Sequence, residues 1–162
     1  MARRAFFSFH HQRDSWRAAQ VRNSWVTQER EAAGFWDAAA WEEVQKKDEA
    51  TIKRWIGGQM EGTSVTVVLI GAETAKRKYV KYEIEKSHSL TKGMIGIYIN
   101  KIKNREGYTD TKGNNPFLGF FAPQGGQTIS FASLYPTYDW LSDNGRENIG
   151  KWIEGAAKKA GR

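Results

Sequence analysis

Short apolar runs alternate along the chain with longer segments whose apolar residues recur at helical spacing. The first run, Ala5–Phe9, predicts a strand, and Asp14 is placed to cap the helix that follows. Gly34–Trp36 predicts a short second strand, followed by a charged helix that continues to about Gln59. The apolar positions predicted to be buried are Trp16, Val21 and Trp25 in the first helix and Ala50, Ile52, Trp55 and Ile56 in the second.

The run Ser64–Ile70 is β-branched and almost continuously apolar, which is typical of a central parallel strand buried on both faces. Met94–Ile99 predicts the fourth strand and Tyr138–Leu141 the fifth. Residues 101–135 are polar and glycine-rich, which predicts a long functional loop or insertion with a small hairpin around Thr128–Phe131. The remaining helical stripes are Val80, Ile84 and Leu90 before the fourth strand, and Ile149, Trp152 and Ile153 in the closing helix.

Five strands that alternate with helices predict one domain over residues 1–162 with an α/β fold. We expect a flavodoxin-like, open, parallel, five-stranded sheet with helices on both faces and the strand order 2-1-3-4-5. In this order ligands bind beyond the carboxyl ends of strands 1 and 3, where the winding of the sheet changes direction. The predicted fold therefore directs attention to Ser8–His11 and to the segment that begins at Gly71.

The composition narrows the class of protein without naming a function. The chain has 162 residues, of which 40% are hydrophobic and 27% charged, as in a globular protein with a sizeable core. It contains no cysteine, which excludes disulfides and thiol chemistry, and the longest apolar run, Val65–Ala72, is too short to cross a bilayer. No apolar signal-peptide region follows the basic start, so we expect a cytoplasmic location without membrane contact.

The formal net charge of +7 raises the question of nucleic-acid binding. The basic residues are spread along the chain among acidic ones, and no nucleic-acid motif is present, so nucleic acid is not an expected partner. The densest basic cluster, Lys76-Arg77-Lys78 with Lys81, also suits an anionic nucleotide. Because His10, His11 and His88 lack partners with metal-ligand spacing, neither a metal nor a resident cofactor is expected.

Several catalytic patterns common in α/β folds are missing. The sequence has no P-loop, no GxGxxG after the first strand and no G-x-S-x-G elbow. The segment Gly71–Ile84 is more informative, because it resembles the TIR (Toll/interleukin-receptor) pattern of a central strand, a short polar loop and a helix. In that pattern an aromatic residue precedes a glutamate by four positions. Here these residues are Tyr79 and Glu83, where the family more often has Trp at the aromatic position.

The resemblance is closer still to the TIR-like proteins of the bacterial Thoeris anti-phage systems, the ThsB type, and it extends over nearly the whole chain. It is weakest in residues 101–135. The segments that carry it are Ala5–His10, Val21–Thr27, Phe35–Asp37 with Trp41-Glu42, Thr63–Gly71 and Tyr138–Trp140.

This resemblance implies an enzyme that cleaves NAD⁺, releases nicotinamide and makes an ADP-ribose-derived signal, usually a cyclic ADP-ribose isomer. NAD⁺ is then a substrate rather than a cofactor, and the signal reaches a partner effector protein by diffusion. A phage-derived trigger and a homo-oligomer are further partners that the sequence leaves open. The alternative from another class is a non-enzymatic TIR-like module that assembles with other proteins.

Glu83 is the predicted catalytic residue, because a carboxylate beside the nicotinamide ribose stabilises an oxocarbenium-like transition state. Taken alone, a glutamate such as Glu83 is more often a solvated helix carboxylate, here paired with Lys78 or Lys86 across a turn. Asp37 is either a ribose ligand or a helix cap. The other predicted substrate contacts are Ser8 and His10 at ribose or phosphate, Phe9, Trp36 and Trp41 as stacking rings, and Tyr79 beside Glu83.

Overall fold

A computed structural model describes residues 3–26, 31–36 and 38–162. The strands within these ranges are β1 (Arg4–Ser8), β2 (Glu31–Ala33), β3 (Val65–Ile70), β4 (Gly93–Tyr98), β5 (Phe121–Gln124), β6 (Gln127–Ser130) and β7 (Thr137–Asp139). The helices are α1 (His11–Trp25), α2 (Ala38–Gln45), α3 (Glu49–Met60), α4 (Lys78–Ser89), α5 (Phe131–Leu134) and α6 (Gly145–Lys159), with 3-10 turns at Thr74–Lys76 and Pro116–Gly119.

Five strands form one parallel sheet in the order β2-β1-β3-β4-β7, and β5 and β6 form a separate antiparallel hairpin. Because β7 is the fifth strand of the main sheet along the chain, this is the order 2-1-3-4-5. The predicted α/β, flavodoxin-like fold is therefore confirmed. The register aligns Ser8 with Val68 and Val68 with Gly96, so the end of β1 lies beside β3 at the switch point of the sheet.

Helices cover both faces of the sheet. The α1 and α6 side packs against Phe7 and Val67, whereas α4 places Val80 and Ile84 against Val68 on the other side. Side chains alternate along a strand, so Phe7 points toward α1 while its neighbours in β1 point toward α4. This alternation decides which residues of β1 reach the candidate site.

Two predicted boundaries near the switch point are wrong. The first helix begins at His11 with His10 as its N-cap, so Asp14 lies buried in the first turn and does not cap the helix. The second strand is Glu31–Ala33 rather than Gly34–Trp36. Gly34 has φ +91°, and a Cβ there would lie 2.2 Å from the carbonyl oxygen of Phe7, so the chain turns out of the sheet where only glycine fits.

The single charged helix predicted to end near Gln59 is two helices, because Asp48 starts a new one by accepting a hydrogen bond from the Thr51 N–H. Trp16 is exposed because it lies one position off the buried stripe of α1. Leu90 is exposed because it lies beyond the end of α4, and Ala50 is exposed in the first turn of α3. The fourth strand runs from Gly93 to Tyr98, one residue earlier than predicted.

The fifth strand is Thr137–Asp139, which overlaps its predicted position, and Trp140 already lies in the turn that follows. The predicted hairpin exists but is larger, formed by β5 and β6, and Phe131 begins α5 instead of closing the hairpin. In the described parts of the chain, no helix combines the length and apolar character needed to span a membrane.

Candidate active site

A buried hydrogen bond joins the end of β1 to the middle of α4. The Oγ of Ser8 donates to Oε1 of Glu83 over 2.6 Å. Ser8 is fully buried and Glu83 is 3% exposed. Ser8 points toward α4 because it alternates with Phe7, and α4 presents Glu83 beside its core residue Ile84. Two residues 75 positions apart in sequence thus meet at the carboxyl end of β1.

Burial raises the pKa of Glu83 to about 8, and the hydrogen bond from Ser8 opposes this rise only in part. The physical cause is the loss of hydration, which penalises the ionised carboxylate more than the neutral acid. At neutral pH the resting side chain is therefore mostly protonated, unlike an exposed helix glutamate.

A second polar contact fixes the rotation of α4. The Oγ of Ser87 donates to the carbonyl oxygen of Glu83 over 2.7 Å and lies 2.6 Å from Oγ1 of Thr66 in β3. Both hydroxyls are fully buried. Because a buried hydroxyl without a partner is costly, this contact favours the one rotation of α4 that also directs Glu83 toward Ser8.

Five partly buried rings lie beside the pair and form what we call the aromatic cluster. They belong to His11, Trp36, Trp41, Trp55 and Tyr79. Tyr79 stands one turn before Glu83 and meets the edge of Trp41 at 6.0 Å between ring centroids. Trp36 stacks on His11 at 4.3 Å and meets Trp55 at 4.7 Å. The cluster thus connects α4 to α1, α3 and the segment after β2.

The structure brings Ser8, Tyr79, Trp36 and Trp41 into the neighbourhood of Glu83 through these contacts. The indole Nε1 of Trp36 is buried without a hydrogen-bond partner among the described residues. Phe9 lies on the α1 side of the sheet, buried in the core against His11 and Phe35.

Asp37, a predicted ribose ligand or helix cap, lies outside the described residues. His10 caps α1 by accepting a hydrogen bond from the Arg13 N–H at its Nδ1. Burial lowers the pKa of His10, and the positive charges of Arg77 and Arg13 lower it further, so the imidazole is neutral and lies near two guanidinium groups. Arg77 immediately precedes α4, and no side chain caps that helix. The carboxyl edge of the sheet therefore carries a basic rim between two helix N-termini, an arrangement suited to anions.

Asp14, the predicted helix cap, is instead a buried carboxyl. Neither of its oxygens has a hydrogen-bond partner among the described residues, and the nearest cation, Nη1 of Arg17, is 3.7 Å away. Burial raises the pKa of Asp14 to about 6, while Arg17 lowers it and Asp110 raises it. The carboxylate packs on Gly71 at the end of β3, where an added Cβ would lie 2.2 Å from Oδ2.

The helical phase of α1 contains the signal that identifies Asp14 as buried. It shares one face with Ala18, Val21 and Trp25, which are all core residues.

Residues 101–113, which we call the strap, run over the edge of the sheet beside α1. Arg17 holds the strap by donating hydrogen bonds to the carbonyl oxygens of Ile102 and Tyr108, over 2.6 and 2.8 Å. Arg13 forms a bidentate ion pair with Asp110 at 2.9 Å for each contact. At the far end of the strap, Gly113 packs so closely on Gly71 that a Cβ would lie 2.0 Å from its carbonyl oxygen. The strap thus covers the side of the switch point that contains Asp14.

The described residues contain no group of three or more His, Asp or Glu side chains close enough together to hold a metal ion. The site at the end of β1 is therefore built from the Glu83 carboxyl, the Ser8 hydroxyl, the aromatic cluster and a basic rim, with the buried Asp14 on the α1 side.

Comparison with known proteins places this arrangement in a family. Residues 6–104, which include the Ser8–Glu83 pair and the aromatic cluster, match the family described as Thoeris protein ThsB, TIR-like domain. A protein of Bacillus cereus (strain MSX-D12) named "Putative cyclic ADP-D-ribose synthase ThsB1" is 37% identical, with 94% of this chain and 100% of the relative covered. This chain belongs to the ThsB family of TIR-like Thoeris proteins.

Proposed function

We propose that this protein is an NAD⁺-cleaving enzyme of anti-phage defence, which releases nicotinamide and makes a cyclic ADP-ribose isomer as a signal for a partner effector. The observation that carries the proposal is the Ser8–Glu83 pair, which puts a buried carboxyl at the switch point where sheets of this type bind ligands. The name of the Bacillus cereus relative supports the product, and membership of a Thoeris family supports the defence role.

The reaction needs little from the protein beyond one carboxylate. The bond between the ribose C1′ and the nicotinamide nitrogen breaks, and its electron pair neutralises the pyridinium, so nicotinamide leaves without a general acid. Positive charge then develops on the ribose at C1′ and its ring oxygen, and the carboxylate of Glu83 stabilises that charge. An attacking atom of the adenosine half closes the cyclic product and loses its proton, whereas attack by water gives linear ADP-ribose.

The raised pKa of Glu83 fits this chemistry if substrate binding ionises the group. A cation beside a carboxyl lowers its pKa, and the nicotinamide ring of NAD⁺ is such a cation. The substrate thus produces the charged form of Glu83 that the transition state requires. The hydroxyl of Ser8 then remains as a donor to the carboxylate.

Because Glu83 is only 3% exposed, the described arrangement is a closed one, and the substrate needs a path to the carboxyl. We propose that the aromatic cluster moves, since Tyr79 belongs to the cluster and lies one turn from Glu83. Once apart, Trp36 and Trp41 offer ring faces to nicotinamide or adenine, and Nε1 of Trp36 offers a free donor.

The basic rim is the proposed binding site for the diphosphate of NAD⁺. His10, Arg13 and Arg77 lie at the N-termini of α1 and α4, where backbone N–H groups and the Arg77 guanidinium favour an anion, while Arg13 is paired with Asp110. Phe9 has a supporting role in this proposal, because its ring packs under His11 from the α1 side. Asp37 as a ribose ligand stays a prediction.

The test is NAD⁺ consumption with mass-spectrometric product analysis in phage-infected cells. Wild type, Glu83→Gln and the matched control Glu85→Gln are compared, because Glu85 is an exposed glutamate on the same helix. Nicotinamide release and a product of cyclic ADP-ribose mass are expected from wild type and Glu85→Gln, with at least a hundredfold loss in Glu83→Gln. Equal turnover by all three proteins would show that Glu83 is not the catalytic group.

A non-enzymatic interaction module remains the second candidate, favoured by two exposed apolar side chains on the insertion. Leu118 is 60% and Phe121 is 62% exposed, and they lie close together in sequence at the start of the hairpin. Defence retained by Glu83→Gln but lost in the double variant Leu118→Ser, Phe121→Ser would favour the module over the enzyme.

A further inference from the structure

A cavity of about 890 Å³ lies at the far edge of the sheet, beyond β4, and shares no residue with the proposed catalytic site. Its walls are the end of α4 and the first half of β4, the segment Leu134–Tyr138, and one side of α6. Sites for small molecules usually measure roughly 300–1,000 Å³, so the cavity has room for a nucleotide.

The cavity exists because β7 is too short to cover β4. β7 pairs only with Gly96–Tyr98, and the first bond of that ladder runs from the Gly96 N–H to the Pro136 carbonyl. The N–H of Gly93 donates to Ser64 on the opposite side, toward β3. Since alternate residues of a parallel strand face the same neighbour, the N–H and C=O of Met94 face the cavity without a strand partner. The short β7 thus leaves a gap beside the first half of β4, although Met94 itself is only 1% exposed.

The charge around the cavity is positive. The described residues that line the cavity include no Asp or Glu. They do include His88, Lys92, Lys151 and Lys159. The ammonium of Lys92 is held by neutral oxygens alone, the carbonyl of Met60 and the carbonyl and hydroxyl of Thr63, at 2.7 to 2.9 Å. Burial lowers the pKa of Lys92 to about 8, and the nearby cations Arg162, Arg4 and Lys86 add to this effect. An anion in the cavity would thus relieve repulsion among existing charges.

Two of these cations lie on one face of α6 with an open position between them. Lys151, Gly155 and Lys159 are spaced at four-residue intervals, so they line one side of the helix. A Cβ added at Gly155 would meet nothing within 4 Å, which shows that the space above it is free. Lys159 already reaches across the mouth of the cavity to the carbonyl oxygen of Leu134, over 3.1 Å.

Aromatic rings complete the wall. Tyr138 and Trp152 stack with ring centroids 4.1 Å apart and an interplanar angle of 6°, and Tyr135 is tied to His88 by a hydrogen bond. Flat rings and paired cations are complementary to a planar base and to a phosphate, respectively.

We infer that this cavity is a second ligand site, which binds a nucleotide with its base against Trp152 and its phosphate between Lys151 and Lys159. The inference goes beyond the proposed function, because it involves neither Glu83 nor the switch point. A site of this kind gives the protein a way to respond to a nucleotide that it does not cleave.

The test uses Gly155→Phe, which fills the cavity, with Gly58→Phe as its matched control. Gly58 is also a helical glycine, in α3, whose added Cβ would meet nothing within 4 Å. Phe has a higher helix propensity than Gly, so neither change is expected to disrupt its helix. Both variants are made in a Glu83→Gln background, so that NAD⁺ cleavage does not affect the readout.

Isothermal titration with AMP, adenosine and inorganic phosphate measures the binding. We expect AMP to bind the background protein and Gly58→Phe equally, and Gly155→Phe at least tenfold more weakly. Lys151→Glu with Lys159→Glu is expected to weaken AMP more than adenosine, because only AMP carries the phosphate. Absence of AMP binding at millimolar concentration, or equal affinities in the two Phe variants, would overturn the inference. Dimerisation through the edge of β4, if Gly155→Phe abolished it, would also overturn the inference, because a strand of a second copy would then occupy the cavity.

Discussion

Tyr79 stands one helical turn before Glu83 and meets the edge of the Trp41 ring at 6.0 Å between centroids, so the neighbour of the buried carboxyl also joins α4 to the aromatic cluster. The two ends of this contact belong to different parts of the fold, since Trp41 lies in α2. Access to the carboxyl is therefore coupled to the position of α2.

Removing the Trp41 ring should loosen this cover. We expect Trp41→Ala to admit water to Glu83 and to lower its pKa toward the ordinary range, because hydration favours the ionised form. The measurement is the carbonyl stretching band of the protonated carboxyl in infrared spectra at pH 7, assigned by its loss in Glu83→Gln. Trp16→Ala, at an exposed position of α1, is the control and should leave the band unchanged. An undiminished band in Trp41→Ala would mean that other residues shield the Glu83 carboxyl from water.

Stability should depend on pH through Glu83. Its pKa is about 8 in the folded protein against 4.5 for the free side chain, so the folded state binds the proton more tightly than the unfolded state. The free energy of unfolding therefore falls as pH rises from about 4.5 to about 8, by on the order of 5 kcal/mol from this group. Glu83→Gln, which still accepts a hydrogen bond from Ser8, removes this fall. Measured in urea, the free energy of unfolding of Glu83→Gln should therefore increase relative to that of wild type across that range. The free energy of unfolding of Glu85→Gln should match that of wild type at every pH.

Asp14 should contribute a similar effect at lower pH. Its folded pKa of about 6 lies above the ordinary value of 3.8, so stability is lost as pH rises from about 4 to 6, by roughly 3 kcal/mol. Asp14→Asn should not lose stability in this way. The difference between its midpoint temperature of thermal unfolding and that of wild type should therefore change between pH 4 and 6 and stay constant above pH 7. A difference that is the same at all pH values would mean that Asp14 is ionised in the folded protein throughout.

The ion pair between Arg13 and Asp110 should hold the strap in place. Asp110→Asn removes the charge from a bidentate contact, which at this exposure is worth about 1 kcal/mol or less, and we expect tryptic cleavage within residues 101–113 to accelerate up to about fivefold. Glu106→Gln is the matched control, because its exposed side chain lies in the same strap. Equal cleavage rates in the two variants would assign the anchoring to Arg17 alone.

Sequence patterns located four of the five strands of the main sheet, because each of these strands has a local apolar run. Val65–Ile70 is apolar along its whole length and is paired on both edges and covered on both faces. The placement of Ser8 and Glu83 near one another followed from the strand order alone, since both lie by the switch point. Their hydrogen bond and the burial of the carboxyl depend on the rotation of α4, which Thr66 and Ser87 set through a contact between distant segments.

The position of the strap depends on long-range packing that no local pattern encodes, whereas Asp14 and Gly34 carry local signals. The strap reads as polar loop sequence, and only the contacts of Arg13 and Arg17 show where it lies. Asp14 was misread because an acid near a helix start commonly caps it, and its burial follows from the phase of α1 instead. The second strand shifted by three residues because Gly34 needs a conformation that ends the strand.

Under the opening of the site proposed above, the neutral state of buried Glu83 couples that opening to proton release. Any event that exposes the carboxyl near neutral pH, whether substrate, trigger or partner, lowers its pKa and lets a proton pass to the solvent. Proton concentration is thereby thermodynamically linked to the balance between the closed and open forms, and each rise in pH toward 8 shifts that balance toward the open one. A cell whose interior becomes more alkaline would then hold this protein closer to the proposed open form before any ligand has bound.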